Sequence, residues 1–213
     1  MKITNGNIDR LHCMAIRHEY LRCRDAFESF REVAEGLILQ GHTREHSYRA
    51  YNSYSNFILH LFEFLIALHA RDFGVTEIKV KSGEKKSDLL DKLVSSTTLK
   101  VVQNRICAIE EGRASPWENH ISVYQKLLPI PIDFASNFRQ MRNKLGGHVT
   151  YQRIQDINLT EFYEKNHLYL YLLYRDCGDW WAGRSEHEFP QLEQVTDFLM
   201  TISRKLPEQL GQT

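Results

Sequence analysis

The sequence predicts an all-α fold, a helical bundle built on two long N-terminal helices. Apolar residues recur at helical spacing through most of the 213 residues. Glycine or proline residues stand at the ends of these periodic stretches, as they do at helix ends. Since no internal repeat, low-complexity segment or linker divides the chain, we expect one domain spanning residues 1–213.

The N-terminal half contains three predicted long helices. They cover residues 8–39, 44–71 and 87–111, and they stop at Gly41, near Gly74 and at Gly112. Residues 75–80, between the second and third helices, are short and rich in β-branched side chains. We expect this segment to form an extended connector or a small strand.

Prolines and glycines divide the C-terminal half into shorter helices. Pro131 suits the first turn of a helix that ends at Gly146-Gly147. Asn158, with Glu161 three residues on, resembles a capping box that opens the next helix. The predicted helices of this half cover residues 117–128, 131–145, 158–176 and 190–207.

Charge and composition exclude several classes of protein. Lys and Arg together number 27, as do Asp and Glu, so the net charge is zero with histidine neutral. That balance excludes a strongly basic protein that coats nucleic acid, and the 42% hydrophobic content excludes a disordered chain. The cysteines form no Cys-x-x-Cys pair, so we expect reduced thiols, no metal site and no cofactor.

Two segments bear on where the protein acts. The first ten residues lack the apolar core of a signal peptide. The longest apolar run, residues 57–68, contains His60 and Glu63 and is shorter than the roughly 20 residues that span a bilayer. We therefore expect a cytoplasmic protein that does not associate with a membrane.

The most informative segment is residues 134–155, which contains four basic residues and no Asp or Glu. Arg142 lies in the last turn of a predicted helix, and His148 follows its Gly-Gly termination. On an unbroken helix the two side chains would point about 240° apart. Because Gly146-Gly147 lets the chain reverse, His148 can return beside Arg142.

An arginine and a histidine held together suit phosphodiester chemistry. A guanidinium binds and neutralises a phosphate through its fork of N–H donors. An imidazole with a pKa of about 6.5 can give or accept a proton near neutral pH. RNA supplies its own nucleophile, the 2′-hydroxyl, so such a site does not require a metal ion.

Arg142-Asn143, followed by four residues and His148, resembles the Arg-x(4–6)-His signature of HEPN domains. The resemblance implies an all-α bundle that acts as a metal-independent endoribonuclease, with two motifs facing each other across a homodimer. It also implies a toxin or phage-defence protein, with a nucleotidyltransferase-like antitoxin as a possible partner. In some HEPN domains the antitoxin attaches AMP to a nearby tyrosine; Tyr151 lies three positions after His148, one more than in the tightest form of that pattern.

On this resemblance, Arg142 would stabilise the phosphate and His148 would act as general acid or base. Asn143 would orient one of them, while Arg139 and Lys144 would attract the RNA backbone. Tyr151 joins them as a candidate substrate-binding residue.

A second constellation lies on the predicted helix over residues 44–71. Asn56, His60 and Glu63, at positions i, i+4 and i+7, form one polar stripe among apolar neighbours. An acidic residue from an earlier helix often accompanies the HEPN motif, so we expect Glu63 to pair with Arg142 or to orient His148. His60 is a further candidate for substrate binding. The alternative is that the stripe only faces water.

Other interpretations remain open. The chain could be a catalytically inactive HEPN-like module that binds RNA, a nucleotide or a protein partner, or a helical scaffold in which the motif spacing is accidental. Arg113 and His120 also satisfy the spacing, but Pro116 interrupts them. His42-x-x-Glu-His46 matches a zinc-peptidase pattern, but it follows the Gly41 stop, where a rigid pair of ligands on one helix face is not expected.

Overall fold

The protein is all-helical in a computed structural model that describes residues 3–41, 43–146, 157–182 and 191–205, and these ranges contain no strand. The described helices are α1 (Gly6–Gln40), α2 (Arg44–Asp72), α3 (Lys86–Glu110), α4 (Ile121–Gln125), α5 (Phe134–Gly146), α6 (Leu159–Ala182) and α7 (Glu193–Lys205). The predicted all-α bundle with two long N-terminal helices is therefore confirmed.

Helices α1 and α2 form a long antiparallel hairpin whose ends follow from local chemistry. The Asn5 side chain accepts hydrogen bonds from the first free backbone N–H groups of α1. Gly41 ends α1 with a φ of +77°, a conformation that favours glycine. Thr43 caps α2 by accepting from the His46 backbone N–H at 3.1 Å.

A buried ion pair joins the other end of this hairpin. Arg71 donates from Nε and Nη2 to the two carboxylate oxygens of Asp9, at 2.9 and 3.0 Å. The Asp9 carboxylate also accepts the backbone N–H of Ile3. Both side chains are nearly buried, so the pair clamps the start of α1 to the end of α2.

The core lies where α2 packs against α1, α3, α5 and α6. It is rich in aromatic side chains, and Phe27 of α1 meets Phe57 and Tyr174 at ring-centroid distances of 5.0 and 4.7 Å. Tyr169 is buried, and Tyr171 and Tyr174 pack against the core. These tyrosines of α6 therefore contribute to the core.

Residues 75–80 form a connector without a strand, which is one of the two expected forms. Several predicted helix boundaries differ from the structure. The helix predicted over residues 117–128 shortens to α4, because Glu118 is bound by α3 and α6 and the chain before it turns. Helix α5 begins three residues later than expected, after a turn in which Phe134 N–H bonds to Pro131, and α6 continues beyond Asp176.

Within the described ranges, no helix is both long enough and apolar enough to cross a membrane.

Candidate functional site

Arg142 reaches from α5 to α2 and is held there by three groups. Its Nη2 donates to Glu63 Oε1, and its Nη1 donates to the Asn143 side-chain oxygen at 2.8 Å. The guanidinium also lies over the Phe62 ring, 5.7 Å from the centroid. The expected pairing of Glu63 with Arg142 is confirmed, while the catalytic role of either residue stays a prediction.

The close packing of α5 on α2 places this pair. Phe138 of α5 meets Phe62 of α2 edge-to-face, at a centroid distance of 5.2 Å. At the end of α5, a Cβ on Gly146 would lie 3.3 Å from the Leu59 side chain, so glycine permits the close approach. One turn of α5 before Gly146, Arg142 is thereby directed along the same face of α2 toward Glu63.

The Glu63–Arg142 pair is accessible to a ligand. The Arg142 side chain is 33% exposed and that of Glu63 is 37% exposed. Arg142 Nε is buried and has no hydrogen-bond partner among the described residues. A guanidinium has five N–H groups, and Glu63 and Asn143 use two of them. One further N–H on each Nη is left for an anion that approaches from solvent.

Arg139 has a partner that its sequence position did not reveal. It donates from Nε and Nη2 to the two oxygens of Asp91 on α3, at 2.7 and 2.9 Å. The hydrogen bond and the charge of Asp91 raise the pKa of Arg139. The structure therefore binds Arg139 to a carboxylate of the protein, where the sequence suggested contact with an RNA backbone.

Residues 134–146, the described part of the segment without Asp or Glu, lie next to carboxylates from other helices in the fold. Their surroundings are therefore less positively charged than the sequence of the segment suggests. Glu63 and Asp91 bring carboxylates to it from α2 and α3. Lys144 is two residues from Arg142, or about 200° around α5, and lines a polar groove against α6. Arg142 and Lys144 therefore face different sides of the helix.

The polar side chains predicted to form one stripe on α2 contact two different helices, α1 and α5. His60 Nδ1 lies 2.7 Å from Glu19 Oε1 on α1, whereas Glu63 binds Arg142 on α5. Asn56 is exposed. His60 is therefore bound to the α1 side of α2, and the structure does not place it with Arg142 as a substrate-binding residue.

His148 and Tyr151 lie outside the described residues. The chain is described up to Gly146, four residues after Arg142, and again from Ile157. The pairing of His148 with Arg142 and the role of Tyr151 therefore stay predictions.

The residues of the second Arg…His spacing, Arg113 and His120, do not meet in the structure as one site. Arg113 pairs with Glu111, while His120 caps α4 by accepting from the Ser122 backbone N–H. His42 lies outside the described residues, and Thr43 caps α2 directly after it. In the described part of the chain, no group of three or more His, Cys, Asp or Glu side chains could hold a metal ion.

An ionic network that no sequence pattern predicted joins α3, α6 and the segment before α4. Arg105 donates to Glu118 at 2.8 Å and also to Asp176, and Arg175 binds the same two carboxylates at 3.4 and 3.2 Å. Burial alone would raise the pKa of Glu118, but the Tyr124 hydroxyl and both arginines lower it below its usual value. These residues lie up to 71 positions apart, and no local spacing signals their contact.

No family model matches the sequence, and comparisons with curated proteins and with solved structures give no significant match. Its function is therefore inferred from its own residues.

Proposed function

We propose that this chain is a metal-independent endoribonuclease of the HEPN type, with Arg142 and His148 as its catalytic pair. The observation that carries the proposal is the clamp of Glu63 and Asn143 on Arg142, which precedes Gly146-Gly147 and His148 in the sequence. An arginine that must hold a phosphate in one orientation benefits from such a clamp, because a fixed guanidinium loses less entropy on binding.

The proposed reaction is an internal transfer at one phosphate of RNA. The 2′-hydroxyl oxygen attacks the phosphorus, and the bond to the 5′-oxygen of the next nucleotide breaks. The 2′-hydroxyl loses its proton and the leaving 5′-oxygen gains one; His148 carries out one of these transfers as general base or acid and water the other, while Arg142 stabilises the charge that grows on the phosphate. The products are a 2′,3′-cyclic phosphate and a 5′-hydroxyl.

As part of this proposal, the protein acts as a homodimer in which two such motifs form one site. Its role would be that of a toxin or phage-defence protein, with a nucleotidyltransferase-like antitoxin as partner. Arrest of cell growth by the wild-type chain, and not by His148→Ala, would support the toxin role. Arrest by both, or by neither, would contradict it.

Cleavage of a labelled RNA in the presence of EDTA tests the chemistry. We expect 2′,3′-cyclic phosphate ends, and at least a hundredfold slower cleavage with Arg142→Ala or His148→Ala, the size typical of a lost acid–base or charge-stabilising group. Arg113→Ala is the matched control, because Arg113 belongs to the second Arg…His spacing and pairs only at the surface with Glu111. Dependence on added metal, or equal loss in the control, would refute the mechanism.

The second candidate function is an HEPN-like module that binds RNA without cleaving it. The observation in its favour is that both described arginines of the motif segment, Arg139 and Arg142, are bound by carboxylates. RNA affinity that depends on Arg142, together with no cleavage by the wild-type chain, would select this candidate.

A further inference from the structure

A cleft of about 420 Å³ opens between α2, α3 and α6. This volume lies within the range of small-molecule sites, roughly 300 to 1,000 Å³. Its α2 wall contains Leu65, Leu68 and His69, which lie on average about 190° around the helix from Glu63. The cleft is therefore on the opposite face of α2 from the Glu63–Arg142 pair and is separate from the proposed cleavage site.

The cleft has an apolar floor and a polar mouth. Leu65 and Val101 on the floor are 1% and 7% exposed, and Leu68 beside them is half-buried. The residues at the mouth are exposed and polar, namely Asp72, Ser96, Lys100 and Asn104. A ligand would therefore place an apolar body inside and meet hydrogen-bonding groups near the walls.

Asp176 provides a hydrogen-bond acceptor inside the cleft. Arg105 Nη2 and Arg175 Nε both donate to the same oxygen of this carboxylate, Oδ1. Its second oxygen, Oδ2, accepts from no residue in the described part of the chain. The two arginines fix the carboxylate, so Oδ2 is a preorganised acceptor for a donor on a ligand.

The charges behind the cleft cancel. Asp176 and Glu118 together balance Arg105 and Arg175. On the opposite wall, His69 Nε2 lies 3.0 Å from the Thr97 hydroxyl, and burial lowers the pKa of His69, so its imidazole is neutral at pH 7. Below the mouth, where the exposed Asp72 and Lys100 carry opposite charges, an ionised ligand group would therefore lose its hydration without gaining a net counter-charge.

We infer that this cleft binds an uncharged molecule with an apolar, ring-sized body and one N–H or O–H donor that bonds to Asp176. A matched series of probes tests each part of that statement. Indole has the body and the donor, benzofuran has the same shape without the donor, tryptamine adds a positive charge and indole-3-acetate adds a negative one.

For indole we expect saturable binding, measured by equilibrium dialysis, with a Kd of about 0.1 to 1 mM, a range suited to so small a ligand. Benzofuran should bind at least tenfold more weakly, because it cannot donate to Asp176. The two charged probes should also bind more weakly than indole. Tighter binding of either charged probe, or equal binding of benzofuran, would overturn the inference.

Variants of α3 test whether indole occupies this cleft. Ser96→Trp places a bulky ring at the mouth from an exposed position, and we expect it to weaken indole binding at least tenfold. Gln103→Trp is the matched control, since Gln103 is exposed on the same helix and does not line the cleft. Circular dichroism would verify that both variants are folded. Unchanged indole binding in Ser96→Trp would refute the assignment of the site.

A second measurement needs no variant. Cys177 lines the cleft, while Cys107 is exposed outside it. Burial raises the pKa of Cys177, so its alkylation at pH 9 is slow and is followed over a long incubation; saturating indole should slow it further and leave the rate at Cys107 unchanged. An unchanged rate at Cys177 would contradict binding in the cleft. Both measurements are independent of RNA cleavage, so failure of either proposal is distinguishable from failure of the other.

Discussion

Replacing Arg139 separates a structural role from a role in RNA binding. The change Arg139→Gln removes two charge-assisted hydrogen bonds to Asp91 and leaves that carboxylate without its cation. The two side chains are 19% and 22% exposed, so the pair is less screened than a surface ion pair but is not buried. Exposed pairs contribute about 0 to 1 kcal/mol and hydrogen bonds to charged groups about 1.5 to 3 kcal/mol. We therefore expect a loss of about 1.5 to 2 kcal/mol.

Urea unfolding of Arg139→Gln, Asp91→Asn and the double variant gives this free energy and the coupling between the two residues. Each single variant should lose a similar amount, and the double variant should lose less than their sum. Lys165→Gln is the surface control, because the Lys165–Glu161 pair is exposed, and its unfolding midpoint should not change. The reasoning fails if Arg139→Gln keeps full stability but weakens RNA binding, while Asp91→Asn changes neither the stability nor the RNA binding.

Three further predictions concern stability and reactivity. Asp9→Asn should lower the free energy of unfolding by about 3 to 5 kcal/mol in urea, because it removes the carboxylate charge that binds the buried Arg71 through two hydrogen bonds; a loss below about 1 kcal/mol would contradict this. Burial lowers the pKa of His167 from 6.5 to about 4, so only the unfolded chain takes up this proton between those values. Stability should therefore fall by up to about 3 kcal/mol as the pH drops from 6.5 to 4, and this part of the slope should vanish in His167→Gln. At pH 8, N-ethylmaleimide should modify the exposed Cys107 and spare Cys177, whose pKa burial raises to about 12, as mass spectrometry of the native protein would show.

The presence of the helices could be predicted from the sequence because the residues that begin and end a helix are close to its ends in the chain. The stop at Gly41 and the cap at Asn158 each depend on residues within one turn, and both are present in the structure. The segment before α4 could not be predicted in the same way. Its local pattern favours a helix, but Glu118 bonds to Arg105 and Arg175, which lie 13 and 57 positions away. Tertiary contacts there override the local preference.

The same distinction between local and long-range determinants applies to the candidate site. Glu63 could be linked to Arg142 across 79 positions because a carboxylate in an apolar run needs a cation or water, and the resemblance to HEPN domains suggested an acidic residue beside the motif. The partner of Arg139 could not be predicted because the charge of a sequence window omits carboxylates that other helices bring to it. Asp91, 48 positions away, is such a carboxylate. The net charge of a sequence window is therefore a poor guide to the electrostatic field at a site until the packing of the helices is known.

The carboxylate at Arg142 has a consequence for the proposed catalysis. Glu63 offsets part of the positive charge of Arg142, which weakens the attraction for the singly charged phosphate of bound RNA. As the 2′-oxygen attacks, the phosphate approaches a double negative charge, and the two remaining Nη donors of Arg142 bind that state more strongly. Only interactions that strengthen between the ground state and the transition state accelerate a reaction. Because Glu63 weakens the charge attraction in both states, the fixed direction of these two donors, and not the net charge around Arg142, is what would favour the transition state.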